Sequence, residues 1–126
     1  MYYTKGVFGV LNLESLPDEP MVLLDGGIES RYKEDYFFDN SCRFNYHGYL
    51  FQYTLSGCGA YESNGKTIFL TPGTAFFATI PEKSCYYLPE KADKPWEFLY
   101  LHFDGSAVFP FFEKLTQHCG GIISID

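Results

Sequence analysis

Three histidines (His47, His102, His118) and four cysteines (Cys42, Cys58, Cys85, Cys119) are the side chains best suited to nucleophilic or metal chemistry. None stands in a pattern that such chemistry requires. A serine nucleophile wants a strained GxSxG turn, and the chain has none. No recognisable spacing joins a thiol to a histidine base. The cysteines make no CxxC pair, whereas a structural zinc needs clustered thiolates. Gly57-Cys58-Gly59 lacks the third glycine and the following helix of a phosphate loop, so it reads as a tight bend after a strand. Glu62, Glu82, Glu90 and Glu97 would form an acid–base pair only if folding joined two of them, and otherwise read as solvated carboxylates. The expectation is therefore no catalytic residue, no cofactor and no metal, with the cysteines as buried free thiols, since free cysteine behaves as a small hydrophobe.

Rings are what this chain has in excess: 13 Phe, 11 Tyr and one Trp, an aromatic share of 20%. In the last long predicted strand Trp96, Phe98, Tyr100 and His102 share one face, and Glu97, Leu99, Leu101 and Phe103 share the other. A face of rings with polar edges, enclosed in a small barrel, suits an amphipathic guest such as a sugar, whose C–H faces stack on rings while its hydroxyls need hydrogen-bond partners. The competing reading is a plain aromatic core.

The elements that must position these rings are short strands. At 126 residues the chain has room for one domain. Residues 1–20, glycine-interrupted and ending in the Leu16-Pro17-Asp18-Glu19-Pro20 loop, read as an arm, and residues 21–126 as the domain proper. Met21 to Leu24 reads as a buried strand stopped by Asp25-Gly26-Gly27. Tyr36-Phe37-Phe38 precedes a turn at Asp39-Asn40-Ser41. Tyr49 to Ser56 alternates, with Tyr49, Phe51, Tyr53 and Leu55 on one side and Leu50, Gln52, Thr54 and Ser56 on the other. Asn64-Gly65 is a type I′ hairpin signal. Further strands are expected over 75–79, 84–88 and 96–103. Many short strands with no helix between them argue for an antiparallel β-barrel or jelly roll. After Gly105, the three- and four-residue steps of Val108, Phe111, Phe112, Leu115 and Cys119 predict one helix. It begins either with Ser106 as cap or with Pro110 in its first turn, and it ends at Gly120-Gly121. Ile122 to Ile125 reads as a final strand, and a chain stopping there is expected to be a truncated one.

Charge narrows the partners. Asp and Glu number 16 against nine Lys and Arg, a net charge of −7. Such a surface repels a phosphate backbone and offers anionic membranes no basic stripe. No apolar run approaches the roughly 20 residues that span a bilayer. Met1 to Gly6 lacks the layout of a signal peptide. Cytoplasm is the expected compartment, and disulfides are not expected.

From Arg43 to Gly105, about half the chain, the ordered runs FQYTLSGCGAY (51–61), LTPG (70–73), AFFATIP (75–81), Tyr86-Tyr87 and PWEFLYLHFDG (95–105) resemble the sensing domain of AraC-type transcription regulators. The resemblance implies a cupin-like barrel with an N-terminal arm that closes over a small-molecule effector, often a sugar, and a C-terminal α-helix. It also implies that DNA is bound by a helix-turn-helix domain that this chain lacks. A homodimer, in the family built by helices beyond this end, would be weakened. Carried over residue by residue, Arg43 and Tyr87 match sugar-contacting positions of the arabinose regulator. Phe98 and Tyr100 stand where that regulator has a histidine and a tryptophan. The second replacement keeps a stacking ring and the first loses a polar edge, so arabinose is not the expected guest. Trp96 and His102 complete the ring face, and Phe8 is the arm's candidate for the lid.

Metal-dependent cupin enzymes are the main competing resemblance. Their HxH pair is reduced here to His47, and Cys85 stands at the later histidine; two ligands do not hold a catalytic divalent ion. A free-standing carbohydrate-binding module is the third.

Overall fold

The structure, a computed structural model, describes residues 6–9 and 20–125. Strands β1 (Gly6–Gly9), β2 (Val22–Arg31), β3 (Phe37–Asp39), β4 (Gly48–Ser56), β5 (Gly59–Ser63), β6 (Lys66–Leu70), β7 (Thr74–Ile80), β8 (Ser84–Tyr87) and β9 (Trp96–Asp104) precede helix α1 (Val108–Cys119) and strand β10 (Ile122–Ser124). They form two antiparallel sheets, one in the order β1-β2-β9-β4-β7-β10 and the other β3-β8-β5-β6. This is a jelly-roll arrangement in which two sheets enclose the core. The predicted hairpin closes at Asn64 and Gly65, with φ of 54° and 74°.

The strand predicted to stop at Leu24 does not stop. β2 runs on through Asp25-Gly26-Gly27 to Arg31, with a register shift between Leu23 and Asp25. Glycine here serves close approach: a Cβ on Gly27 would fall 2.1 Å from the Gly6 carbonyl oxygen of β1. Of the arm expected over residues 1–20, β1 and Pro20 are described, and the rest lies outside the described residues.

Alternation in β4 is as predicted, but the face that turns inward is the less apolar one. Leu50, Gln52 and Thr54 are almost wholly buried, while Phe51, Tyr53 and Leu55 are only half-buried. The interior core gathers Leu50, Tyr61, Leu70, Phe76, Ala78, Ile80, Tyr86, Leu88, Trp96 and Phe98. On the outer side of the larger sheet, Tyr49, Phe77 and Phe103 receive Val108 and Phe112 of α1. Only the first turns of α1 dock, so Phe111 and Cys119, expected on its buried face, are exposed. Pro110 lies in the first turn, and Ala107 before it makes no side-chain cap; Gly120 closes the helix in the left-handed conformation. The cysteines are free, yet none is buried: Cys42 and Cys119 are exposed, Cys58 and Cys85 half-exposed.

Candidate functional site

Register places a polar row across the inner face of the larger sheet. Gly27 of β2 lies opposite Tyr100 of β9, and Tyr100 lies opposite Gln52 of β4. Gly27 adds no side chain to this row, because the backbone of β1 lies where its Cβ would stand. Glu29 and Arg31 follow along β2 at two-residue steps, on the same face. The opposite sheet contributes Phe38 of β3 and Tyr86 of β8, which are register partners. Arg43 and Tyr46 come from the short 3₁₀ turns between β3 and β4. These residues, with Tyr36 and Leu50, line a cavity of about 190 Å³. That is roughly the liquid volume of six waters at about 30 Å³ each.

Arg43 is held flat by rings, its guanidinium carbon 4.2 Å from the centre of Phe38 and 4.4 Å from that of Tyr46. Its Nη1 donates to the Tyr86 hydroxyl at 2.7 Å and to Asn40 Oδ1 at 3.3 Å. Arg31 Nη2 donates to Glu29 at 2.7 Å, and its Nη1 lies 3.7 Å from Glu34. Two buried polar atoms of the lining have no hydrogen-bond partner among the described residues: Arg31 Nε and Gln52 Nε2. Gln52 is only 2% exposed. Such an orphaned donor costs about 1–3 kcal/mol. Burial is the main cause that raises Tyr36, Tyr46, Tyr86 and Tyr100 above the ordinary phenol range, so all four keep their protons.

Of the residues predicted from sequence, Arg43 and Tyr100 meet at this cavity. Tyr87 does not: it faces outward, stacks on Phe37 at 5.8 Å and donates to Glu62 at 3.1 Å, and its neighbour Tyr86 is the one that turns inward. Trp96 and Phe98 share the inner face as predicted but pack wholly into the core, with Trp96 Nε1 donating to Thr54 Oγ1 at 3.0 Å. His102 is also wholly buried, and acts as a tie. Its Nδ1 lies 2.6 Å from Asp25, its Nε2 lies 2.9 Å from the His47 carbonyl, and its ring stacks on Tyr46 at 3.8 Å. Tyr46 completes the tie by donating to the other Asp25 oxygen at 2.6 Å. The lid expected of Phe8 rests on a side chain outside the described part of the structure; its backbone pairs with Gly26.

Sequence reasoning missed Glu29, Arg31, Tyr36, Tyr46, Gln52 and Tyr86. One signal for Tyr86 was available: Leu88 shares its alternation and Cys85 shares that of Tyr87. Gln52 was visible as a polar residue between Leu50 and Thr54, but nothing in the sequence marked that face as the inner one.

A larger groove, about 890 Å³, lies outside the smaller sheet along Lys33 to Phe37 and Tyr87 to Glu90. Its Glu62 is already engaged by Tyr87, Thr67 and Cys85. The histidine and cysteine that resemble metallo-cupin ligands lie apart, His47 on the surface beside Asp104 and Cys85 on the outer face bonded to Glu62. Among the described residues no three His, Cys, Asp or Glu side chains cluster as a metal ion would require. No described helix is long and apolar enough to cross a membrane.

Comparison with solved structures finds the same fold at low identity. A Cupin 2 conserved barrel domain protein from Salinispora arenicola CNS-205 superposes with TM-score 0.52 and 11% identity, covering 86% of this chain and 82% of that one. A cupin protein from Bacteroides fragilis gives 0.48 and 15%, covering 76% and 86%. FeII HppE in complex with substrate gives 0.46 and 13%, covering 75% and 60%. No curated protein matches the sequence. The family described as AraC-like ligand binding domain, however, matches residues 27–124, the span that contains strands β3 to β10, the cavity lining and the helix, and the chain therefore belongs to that family.

Proposed function

We propose that this domain senses a small, sugar-like effector, binding it between the sheets without transforming it, and that occupancy controls a DNA-binding helix-turn-helix domain of the same regulator. The observation that carries this reading is the interior cavity walled by rings, into which Gln52 and Arg31 present donors that have no partner among the described residues. Family membership supports the sensory role. A buried donor left unpaired is costly in the empty domain and is repaid when a guest accepts from it.

Transmission starts in β2. Glu29 lines the cavity, and its neighbour Ile28 pairs with Gly6 of β1. A guest that fixes Glu29 and Arg31 changes how firmly β1 and the arm beyond it are held. Such a guest shifts the arm only by its difference in affinity for the two arrangements.

The test is a thermal-shift screen of monosaccharides and their derivatives, followed by hydrogen exchange with the best binder. Protection concentrated in the segments carrying Glu29, Gln52, Tyr86 and Tyr100, and extending into residues 6–9, is the expected result. Protection confined to the outer groove around Phe37 and Tyr87 overturns the assignment of the site. Unchanged exchange over residues 6–9 overturns the arm's part in it.

A further inference from the structure

We infer that the effector is a small polyhydroxy acid, a sugar acid of the aldonate or uronate class, whose carboxylate is received by Arg43 beside Gln52. This rests on the reading that the cavity is the effector site, and adds the charge of its guest.

The unmet hydrogen-bonding capacity of the lining has one polarity. Both buried unpartnered atoms, Arg31 Nε and Gln52 Nε2, are N–H donors. The guest must bring acceptors to them. Fixed charge points the same way. Among the lining residues Glu29 is the carboxylate, and Arg31 holds it at 2.7 Å. Arg43 forms no ion pair among the described residues; its two bonds go to a neutral phenol and a neutral amide. Asp25, which Tyr46 of the lining bonds, is engaged by that phenol and by His102. One guanidinium therefore faces an interior space without a counter-charge, in a chain whose overall charge is −7. A guanidinium is a planar fork matched to a carboxylate, and here it rests against the rings of Phe38 and Tyr46. Hydroxyls on the guest follow from the rest of the lining, where Tyr36, Tyr100 and Glu29 offer both donors and acceptors. The volume, about 190 Å³, fits a monosaccharide's bulk.

The test is calorimetry on this domain with galacturonate, glucuronate and gluconate, each beside its neutral parent, with glucose 6-phosphate as an anion of different shape and acetate as a carboxylate without hydroxyls. At least one acid is expected to bind roughly tenfold or more tightly than its neutral parent, a margin typical of one charge-assisted contact. Arg43→Gln should abolish that margin, weakening the acid by roughly tenfold more than it weakens the neutral parent. Gln52→Leu should weaken the acid without lowering the melting temperature of the empty protein, which separates lost binding from lost folding. Neutral sugars binding as tightly as the acids, with protection at the cavity strands, overturn the charge assignment and leave the sensory reading standing. Glucose 6-phosphate or acetate matching the best acid overturns the carboxylate or the polyhydroxy part. An absence of binding by every acid overturns the inference outright.

Discussion

Thr54 and Gln52 are neighbours on the inner face of β4, and they mark two different regions. At Thr54 the interior is finished. Its hydroxyl accepts from the Trp96 indole, and Trp96 packs on Phe98 at 4.7 Å with both rings fully buried. One step along, at Gln52, the interior is left open: the amide is as buried, but its Nε2 has no partner among the described residues and faces a cavity. One sheet thus provides a stable core at one end and an unmet demand for a guest at the other. The demand is affordable because the packed end supplies the stability.

Substitutions at the packed end should break this comparison hardest. Trp96→Ala removes the largest buried side chain and should cost about 3–5 kcal/mol, enough to unfold much of the population in a urea titration. Gly59→Ala attacks the same ring from the other side, because a Cβ there would fall 2.2 Å from Trp96. Overpacking of this kind costs about 1–3 kcal/mol, read as a lower urea midpoint. If Gly59→Ala proves neutral, the end is less rigid than its packing implies.

Matched polar deletions sharpen the contrast by sign. Thr54→Val keeps the shape and strands the buried Trp96 N–H, so it should destabilise by about 1–3 kcal/mol. Gln52→Leu removes a donor that already lacks a partner, and should be neutral or stabilise by about 1 kcal/mol in the empty protein. The same chemical denaturation series measures both. Equal losses at the two positions would mean that Gln52 is satisfied in the folded state and that the open end is not open.

The two regions also differ in how far the sequence reveals them. Strand positions, the Asn64-Gly65 hairpin, the helix and the inward ring face of β9 were legible, because each depends on local periodicity or turn chemistry. The site was only partly so. Its residues come from β2, β3, β4, β8, β9 and the short turns beside them, and their meeting is set by register, which a sequence does not display. A one-residue change of phase separates Tyr86, which faces the cavity, from Tyr87, which faces solvent. The glycines at 26 and 27 looked like a stop because nothing local shows that β1 lies against them. His102 resembled a ligand-binding group because its partner Asp25 lies 77 residues away in sequence.

The smallest expected effect compares a carboxylate of the interior side with one on the outer face. Burial is the main cause that raises Glu82 above the ordinary glutamate value; bonds from Thr79 N–H, Ser84 and Tyr61 oppose it. A raised folded value means that the fold favours the protonated form. Glu82 therefore supports stability fully below the unfolded value near 4.3, and that support is lost as pH rises through the raised folded value. Glu62 on the outer face runs the other way. The hydrogen bond from Thr67, followed by those from Tyr87 and Cys85, lowers it, so its support is present above about 4.3 and disappears as pH falls through the lowered value. Melting temperature followed from about pH 3 to pH 8 should show Glu82→Gln flattening the decline on the alkaline side of about 4.3 and Glu62→Gln flattening the acid limb. A constant offset across the range for Glu82→Gln would mean that its carboxylate is not penalised by burial, and that the contrast between finished interior and solvated exterior does not extend to the β7–β8 turn.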